Sequence, residues 1–415
     1  MNEIAITGIG IVSPIGIGIE AFAQSLRDGS SGVGLRPGFE NATSPLRIAA
    51  MIKDFDGKKY VKPRKSMKVM CRPIQYGFAA STMALEQAKV SEADFDPDRK
   101  GTIFGSEAFY ANPQEVADVF RKCVVNQCYD HDQWGSLAMR EIEPLWMLKY
   151  LPNMVASHVS ISFDARGPSN SICQSEVSGS LATIEAIDLI QRGDTDVVVA
   201  GGTGSPMDFT GLLYRGIHKS SLRIDDPELA CRPFDRDRDG IVAGEGAGVL
   251  VLEDAAKAKQ RGAEILATVV AYSRTFCTNT QDCFSESIAH SIRITLDKAG
   301  WTVNDVGHVN ANGLSTVRED RIEALAIQKT LGDVLVFAPK SYYGYVGPGA
   351  DIIDLSASVL SVGEGFLPAT LNFNSPDPDA PLNVNADYRE FQNPNFLSIG
   401  FSATGQITCM AVRVG

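Results

Sequence analysis

The sequence predicts an α/β fold, and three observations support this prediction. Apolar runs typical of strands alternate with helical patterns of roughly ten to fifteen residues, an order that indicates parallel βαβ units. The chain has 415 residues, which exceeds the roughly 250–300 at which a single hydrophobic core stops growing. The pattern of strands and helices also starts again near residue 256. We therefore expect two similar halves, residues 1–255 and 256–415.

Local patterns predict the individual elements in chain order. The apolar run from Ile4 to Val12 predicts a first core strand. Residues 108–150 lack strong strand patterns and contain Trp134 and Trp146, so we interpret them as an insertion that caps a pocket or meets a partner in a dimer. The remaining predictions are a helix at Thr183–Arg192, strands at Asp196–Ala200, Gly248–Leu252 and Thr268–Ala271, a helix at about Ser285–Ala299 and a strand at His308–Asn310.

Composition and charge exclude several classes of function. Lys and Arg total 38 while Asp and Glu total 50, so the net charge is −12. This acidity, without a basic tail, argues against nucleic acid or a membrane surface as the main partner. No apolar run reaches the roughly 18–20 residues of a membrane span. The N-terminal segment lacks the cationic lead of a signal peptide, and we expect a cytoplasmic protein.

The cysteines and histidines predict neither a metal site nor a disulfide framework. None of the eight cysteines forms a CxxC pair. Of the five histidines, only His131 lies three or four residues from a cysteine, Cys128, and none lies that close to another histidine; one such pair falls short of the four ligands of a structural zinc site. With no secretory signal, we expect reduced thiols, no metal and no cofactor.

Short motifs rich in glycine and polar residues recur along the chain. They are the segments Ile4–Pro14, Ile74–Gly77, Asn153–Met154, Gly167–Ser169, Arg232–Asp235, Asp239–Gly240, Gly244–Gly248, Asn310–Thr316, Lys340–Ser341 and Gly400–Phe401. In this order and spacing they resemble the β-ketoacyl-acyl-carrier-protein synthases of the thiolase-like superfamily. The resemblance implies a five-layered αβαβα fold made of two similar halves, with dimerisation through the strand before the nucleophile helix.

The resemblance also implies a reaction, from which this chain departs. Family members hold an acyl chain as a thioester on a cysteine and condense it with a malonyl unit on acyl carrier protein. Two histidines drive the decarboxylation and hold the developing oxyanion. In this chain the nucleophile position, nine residues after Gly167, is Glu176, and the two histidine positions are Asn312 and Tyr345. We expect condensation to be lost by several orders of magnitude, because nucleophile and base act as a unit.

Two side chains near Glu176 bear on its role. Cys173 lies three residues earlier, and we interpret it as a buried structural thiol because that shift changes both its face and its depth. Glu176 should precede a helix that begins near Val177, where backbone N–H groups favour an anion. Lys340 is retained from the family motif. Either Glu176 and Lys340 form a buried ion pair in a retired site, or Glu176 is a catalytic base for decarboxylation, hydrolysis or addition of water.

The turn at Gly400, Phe401 and Ser402 resembles the gating loop of the family, in which a phenylalanine moves to admit the acyl chain. Ser402 and Ala403 replace two glycines of that loop, and a Cβ atom narrows the accessible backbone angles. A stiffer gate suits a site that does not turn over. Alternatively, the two residues adopt the same turn without effect.

Seven cations occur between residues 58 and 72 of this acidic chain. They precede the segment Ile74–Gly77, where the family docks the acidic carrier protein, and opposite charge steers such a partner. The residues that we expect to dock it are Lys62, Arg64, Lys65, Lys68 and Arg72. The alternative is that these side chains form a solvated helix face.

Three hypotheses of function follow. The first is a catalytically degenerate subunit resembling chain-length factors, which are ketosynthase-like proteins that lack the cysteine. It would bind or shape an acyl or polyketide chain, interact with acyl carrier protein, and form a homodimer or a heterodimer with an active ketosynthase. The second is an enzyme of altered thioester chemistry, with Glu176 as base and Asn312 and Tyr345 as oxyanion or proton partners. The third is a structural scaffold with a filled pocket.

Overall fold

The strands of the protein come from both halves of the chain. The structure, a computed structural model, describes residues 3–39, 47–91, 94–108, 112–207 and 219–415. Its strands are β1 (Ile4–Ser13), β2 (Gly16–Ile17), β3 (Val33–Leu35), β4 (Ile48–Ala50), β5 (Lys100–Gly105), β6 (Val124–Val125), β7 (Cys128–Tyr129), β8 (Ser169–Ile172), β9 (Val197–Gly204), β10 (Ala243–Gly244), β11 (Gly246–Asp254), β12 (Ala267–Phe276), β13 (His308–Asn310), β14 (Leu335–Phe337), β15 (Phe366–Leu367), β16 (Asn383–Val384), β17 (Arg389–Glu390), β18 (Asn395–Phe401) and β19 (Gln406–Val414).

One large sheet joins the two halves. Its order is β16-β14-β13-β18-β19-β12-β1-β11-β9-β5-β8, with β2 paired to β1. The first half contributes β8-β5-β9-β11-β1, and the second contributes β14-β13-β18-β19-β12. When the five strands of each half are ranked along the chain, both halves show the same spatial order: third, second, fourth, fifth and first. The halves meet where Ile4–Ile6 pairs with Ala267–Val269. The two-halved fold that the sequence predicts is therefore present.

The strand directions correct one part of the prediction. Pairing is parallel at the two flanks, β9-β5-β8 and β18-β13-β14-β16, as βαβ units require. The middle strands, from β9 through β11, β1, β12 and β19 to β18, are antiparallel. The last strand of each half, β11 or β19, runs against both of its neighbours, and the first strands of the two halves, β1 and β12, run against each other.

Helices form three layers around the two half-sheets. They are α1 (Ile19–Asp28), α2 (Arg72–Gln87), α3 (Gln114–Lys122), α4 (Trp134–Glu141), α5 (Met154–Phe163), α6 (Ser178–Gln191), α7 (Ala255–Gln260), α8 (Phe284–Ala299), α9 (Val317–Leu331), α10 (Lys340–Tyr343) and α11 (Ala350–Gly363). Helices α2 and α5 cover the first half-sheet, and α8 and α9 cover the second. Helices α6 and α11 pack between the half-sheets, which gives the order αβαβα. No described helix is long and apolar enough to span a membrane.

The two central helices position the candidate site. Each follows the third strand of its half: α6 comes after β8, and α11 comes after β14. Nearly every residue of α6 and α11 is buried, as expected for helices packed on all sides. The segments before their first turns therefore meet at the centre of the molecule.

The predicted insertion has its own local structure. Residues 112–150 contain α3, the β6–β7 hairpin and α4. An ion pair at 3.1 Å joins Glu115 in α3 to Lys149, which follows α4 in the chain. Met139 is 88 % exposed and Leu145 is 58 % exposed, so apolar surface faces outward here. A role in capping a pocket or in dimerisation stays a prediction.

Candidate active site

Glu176 lies on a sharp turn between edge strand β8 and central helix α6. The turn is a 3-10 helix, Ser175–Val177, in which Ser175 has a φ of 55°, a left-handed conformation that is uncommon for a residue with a Cβ atom. The Ser178 hydroxyl donates to the Ser175 carbonyl at 2.6 Å and accepts from the Gln174 N–H at 2.8 Å. These bonds hold the buried Glu176 side chain at the helix N-terminus, as the sequence predicts.

Tyr345 reaches the same point from the second half. Gly344 and Gly347 on either side of it have φ values of 67° and 70°, which a residue with a Cβ atom would adopt only with strain. The Tyr345 N–H donates to the Val242 carbonyl at 2.7 Å. Its phenol donates to Oε2 of Glu176 at 3.2 Å. We call Glu176 and Tyr345 the outer pair.

A cavity of about 160 Å³ opens beside the outer pair. Its lining residues are Ser175, Glu176, Lys219, Ile241, Leu314, Glu319, Tyr345, Ala403 and Thr404, among which there is no cysteine or histidine. Lys219 and Glu319 form an ion pair at 3.3 Å within this lining. Burial would raise the pKa of Glu319, but the neighbouring Thr316 side chain and the charge of Lys219 outweigh burial and lower it. The cavity therefore holds a fixed ion pair beside the Glu176 carboxyl group.

The predicted ion pair between Glu176 and Lys340 is wrong. Lys340 is buried, donates to Oδ1 of Asn312 at 3.0 Å, and forms an ion pair with Asp354. Burial would lower the pKa of Lys340, but Asp354 and Asp351 outweigh burial and raise it. The cause is topological: Lys340 opens α10 and Asp354 lies in α11, the next helix of the same half, whereas Glu176 belongs to the other half.

Asn312 makes its hydrogen bonds beneath the outer pair. Its N–H donates to Oε1 of Glu323 at 2.7 Å. An ammonium group can only donate, so Oδ1 of Asn312 must face Lys340, and its Nδ2 points to the Phe401 carbonyl at 3.4 Å. Because Oδ1 of Asn312 already accepts from Lys340, the amide group is oriented with its Nδ2 N–H groups toward the Phe401 side. We call Lys340, Asp354, Asn312, Glu323 and Asp351 the inner cluster.

Asp351 is a site residue that the sequence interpretation missed. Its Oδ2 accepts from the Ser180 hydroxyl at 2.7 Å, while Oδ1 has no hydrogen-bond partner among the described residues. Burial raises the pKa of Asp351 to about 7; Lys340 opposes the rise, and the charges of Asp354 and Glu176 add to it.

Further buried acids hold the loop that carries Asn312. Glu323 accepts from the N–H of Gly313 at 2.9 Å as well as from that of Asn312, and burial raises the pKa of Glu323 to about 8. Asp320 accepts from the N–H groups of Phe234 and Leu314, both at 2.9 Å, and burial raises its pKa to about 6. Both acids therefore support the backbone of this loop.

The predicted gate lies directly over the inner cluster. The Phe401 ring is buried and packs edge-on against Phe284, with 5.4 Å between ring centroids. A Cβ atom on Gly400 would lie 2.5 Å from Oδ2 of Asp351, so a larger residue here would force the Asp351 side chain to move. The Ser402 N–H donates to the Gln406 carbonyl at 2.9 Å, and neither Ser402 nor Ala403 has a positive φ. Both residues fit the turn without strain, and the stiffness of the gate stays a prediction.

Cys173 is not a buried thiol within the strand. Strand β8 ends at Ile172, and Cys173 is exposed in the turn that follows. Its sulfur lies 3.8 Å from the Glu107 carbonyl. Partial burial of the sulfur and the charge of Glu107 raise the pKa of the Cys173 thiol, which reduces its reactive thiolate fraction.

The basic segment lies on the surface beside the insertion. All seven of its cations are exposed, among them the predicted docking residues Lys62, Arg64, Lys65, Lys68 and Arg72. The Arg72 side chain is 52 % exposed, although it donates to the Ile52 carbonyl at 3.2 Å and pairs with buried Glu245 at 3.6 Å. A surface hollow of about 590 Å³ separates residues 67–73 from the insertion. Within the described ranges no group of His, Cys, Asp or Glu side chains is arranged to hold a metal ion.

Comparisons with known proteins bear on the whole chain. Residues 1–258 match the family model of the beta-ketoacyl synthase N-terminal domain, and residues 266–374 match that of the C-terminal domain. The 3-oxoacyl-[acyl-carrier-protein] synthase 2 of Rhizobium meliloti is 32% identical over 97% of each chain. The crystal structure of a beta-ketoacyl synthase from Burkholderia phymatum superposes with a TM-score of 0.88, at 26% identity and full coverage of both chains. The ishigamide ketosynthase/chain length factor shares the fold, with a TM-score of 0.86 at 24% identity over 100% of this chain and 99% of that one.

Proposed function

This chain belongs to the β-ketoacyl synthase family, and we propose that within it the protein is a non-condensing subunit of fatty-acid or polyketide synthesis. Like a chain-length factor, it binds or shapes an acyl chain in partnership with a ketosynthase that supplies the reactive cysteine. One observation carries the proposal. The residues that line the cavity at the nucleophile position and at the second histidine position are Glu176 and Tyr345, which hydrogen-bond to each other.

The chemistry of the outer pair argues against condensation. A thiolate forms a thioester that waits for a second substrate, whereas acyl transfer to Glu176 would give a mixed anhydride that water hydrolyses readily. The Tyr345 phenol already donates to that carboxylate. Asn312, at the first histidine position, is held by Lys340 and cannot exchange a proton near pH 7 as an imidazole does. Without nucleophile and base, the family reaction loses both of its chemical steps.

A partner ketosynthase has a natural place to bind. Strand β8 forms one end of the large sheet, and its first two residues, Ser169 and Asn170, are exposed. An unpaired edge strand presents backbone N–H and C=O groups that a second chain can pair. Ile161, which is 80 % exposed on neighbouring α5, adds apolar surface beside this edge. We therefore assign the edge to the subunit contact, in a homodimer or a heterodimer.

Acyl carrier protein fits the basic segment. Lys62, Arg64, Lys65 and Lys68 form an exposed cationic surface on a chain of net charge −12. Such a surface attracts an acidic carrier, and salt should weaken the attraction. Arg72 belongs to this surface as well, because its side chain is 52 % exposed although it pairs with Glu245.

The test is a condensation assay with acyl- and malonyl-carrier protein. We expect no β-ketoacyl product from the purified protein alone. We expect product of altered chain length or yield when it is combined with a cysteine-bearing ketosynthase that forms a complex with it. Robust turnover by the protein alone would refute the proposal, as would a partner whose products are the same with and without it.

A second candidate is an enzyme that uses Glu176 as a base on a thioester, and the cavity beside the outer pair favours it. At about 160 Å³, the cavity is smaller than the roughly 300–1,000 Å³ of pockets that enclose a whole ligand. It would admit a thioester head group rather than a long chain. Decarboxylation or hydrolysis of short acyl-carrier thioesters that is abolished by Glu176→Gln, and kept in Glu319→Gln, would favour this candidate. A Glu176→Gln variant with every activity intact would remove it.

A further inference from the structure

Two cysteines meet beside the turn that carries Phe401. Cys277 follows the last residue of β12, and Cys283 precedes the first residue of α8, so a short loop connects them. Their sulfur atoms lie 3.4 Å apart. Cys277 is buried and Cys283 is exposed. A buried thiol in contact with an exposed one has the arrangement of a reactive cysteine with its resolving partner.

The exposed sulfur can be reached from solvent. A surface hollow of about 310 Å³ opens beside Cys283, with Ser287 and His290 in its lining. This space is of the size that a small thiol reagent occupies. The hydrogen bond with Cys277 raises the pKa of the Cys283 thiol. The higher pKa lowers the reactive thiolate fraction near pH 7, so reaction at Cys283 should be slow there and faster at higher pH.

The loop between the two cysteines is joined to the turn at residues 401–406 by two contacts. The Cys277 N–H donates to the Gly405 carbonyl at 2.8 Å, and a Cβ atom on Gly405 would lie 2.3 Å from the Cys277 carbonyl. On the other side of the loop, Phe284 packs its ring against Phe401. Cys277 therefore contacts this turn directly, and Cys283 is adjacent in the chain to Phe284, which also contacts it.

We propose that Cys277 and Cys283 form a reversible disulfide, a modification site that fastens the 277–283 loop and thereby restricts the turn that carries Phe401. The oxidant is a small disulfide such as glutathione disulfide. The Cys283 thiolate attacks one of its sulfurs and releases one glutathione thiolate, and the Cys277 thiolate then attacks Cys283 and releases the second. Two protein thiols lose two electrons, and one glutathione disulfide becomes two glutathione molecules that take up the two protons. The proposal does not depend on the function proposed above.

The test uses the full-length protein in mixtures of glutathione and glutathione disulfide. Trypsin releases both cysteines in one peptide, Thr275–Arg293, which holds no other cysteine. After alkylation of free thiols, we expect this peptide to be unalkylated and lighter by two hydrogen atoms than its dithiol form. Exposed Cys128, in the β6–β7 hairpin, serves as the internal reference for simple glutathionylation.

Two variants decide whether the sulfurs act as a pair. Cys277→Ser should leave glutathione attached to Cys283, because the resolving thiol is gone. Cys283→Ser, at an exposed position that folding tolerates, should leave Cys277 reduced. The proposal is overturned if wild-type Cys283 keeps a glutathione adduct or stays alkylated under conditions in which Cys128 is fully modified.

Amide hydrogen exchange tests the link to the turn. In the oxidised wild type we expect slower exchange at residues 402–406, and no change in Cys283→Ser treated in the same way. A disulfide that forms without altering exchange at these residues would show that the loop does not restrict the turn, and would overturn that part of the proposal.

Discussion

The outer pair and the inner cluster lie beside the same central helices, but they differ in their access to a cavity and in how their charges are paired. Lys340 and Asp354 of the inner cluster are fully buried and neutralise each other, with Asn312 on the same ammonium group. Glu176 and Tyr345 line a cavity instead. The difference teaches where a substitution costs most: removing a buried charge leaves its partner uncompensated, whereas a group that lines a cavity can change at a smaller cost.

The largest expected effect comes from breaking the inner cluster. Lys340→Met removes the only partner charge that Asp354 contacts in the described structure. We expect a loss of about 3–5 kcal/mol in the free energy of unfolding, the usual result of leaving a buried charge uncompensated. Urea denaturation would measure it. Lys219→Met, which breaks the cavity-side pair with Glu319, is the matched control and should cost about 1 kcal/mol or less. If both variants lost the same free energy of unfolding, the ion pair of the inner cluster would be no more important for stability than the ion pair beside the cavity.

A smaller effect should follow from adding one methyl group above the cluster. Gly400→Ala places a Cβ atom against Asp351 and within 3.0 Å of the Thr408 hydroxyl. We expect a loss of about 1–3 kcal/mol from overpacking. The double variant Gly400→Ala with Asp351→Ala should recover part of that loss, since the clashing carboxyl group is gone. Strict additivity of the two changes in a double-mutant cycle would show that these residues do not press on each other.

The third prediction concerns pH. The pKa of Asp351 is raised to about 7 in the folded protein, against about 3.9 for an unfolded Asp. The folded state therefore binds this proton more tightly, and the contribution to stability is present at about pH 4 and lost as pH rises to about 7. Asp351→Asn keeps an acceptor for Ser180 but cannot ionise. Relative to wild type, its free energy of unfolding should rise by about 2–3 kcal/mol between pH 5 and 8.

Exposed Asp379 provides the comparison for that experiment, because Asp379→Asn also removes one carboxylate. Its stability should follow the wild-type pH profile. If Asp351→Asn follows the wild-type profile as well, then Asp351 does not hold a proton in the folded state at neutral pH.

The smallest effect on stability is expected at the outer pair. In Glu176→Gln the amide oxygen still accepts from the Tyr345 phenol, and the side chain still lines the cavity. We expect a change of about 1 kcal/mol or less, since one hydrogen bond is replaced by another. Tyr345→Phe is the companion variant, which removes the donor instead. A loss as large as that of Lys340→Met would mean that Glu176 is a structural charge like those of the inner cluster.

Local sequence patterns predict an element accurately where its ends do not depend on pairing with a distant strand. The run Ile4–Val12 became β1, which ends one residue later, and the helix expected from about Ser285 begins at Phe284. Strand β9 was expected to end at Ala200 but continues to Gly204. Its glycines pair with β11, as in Gly204 with Gly246. Such pairing between distant segments overrides the low strand propensity of glycine.

The site shows the same limit. The positions of Glu176, Asn312 and Tyr345 followed from aligned motifs, but their contacts did not. Asp354 and Asp351 both lie in α11, and nothing in the local sequence says which carboxylate Lys340 will meet. That choice is made by the packing of α10 against α11 within one half, which is a property of the assembled fold.

The most direct test of the central claim is whether the protein becomes acylated. Purified protein is incubated with acyl-carrier protein, and its intact mass is measured, with Glu176→Cys as the variant that restores a sulfur to the nucleophile position. We predict no stable acyl adduct on the wild type and an acyl-sized mass increase on Glu176→Cys. A lasting adduct on the wild type, mapped to a cysteine or to Glu176, would contradict the account.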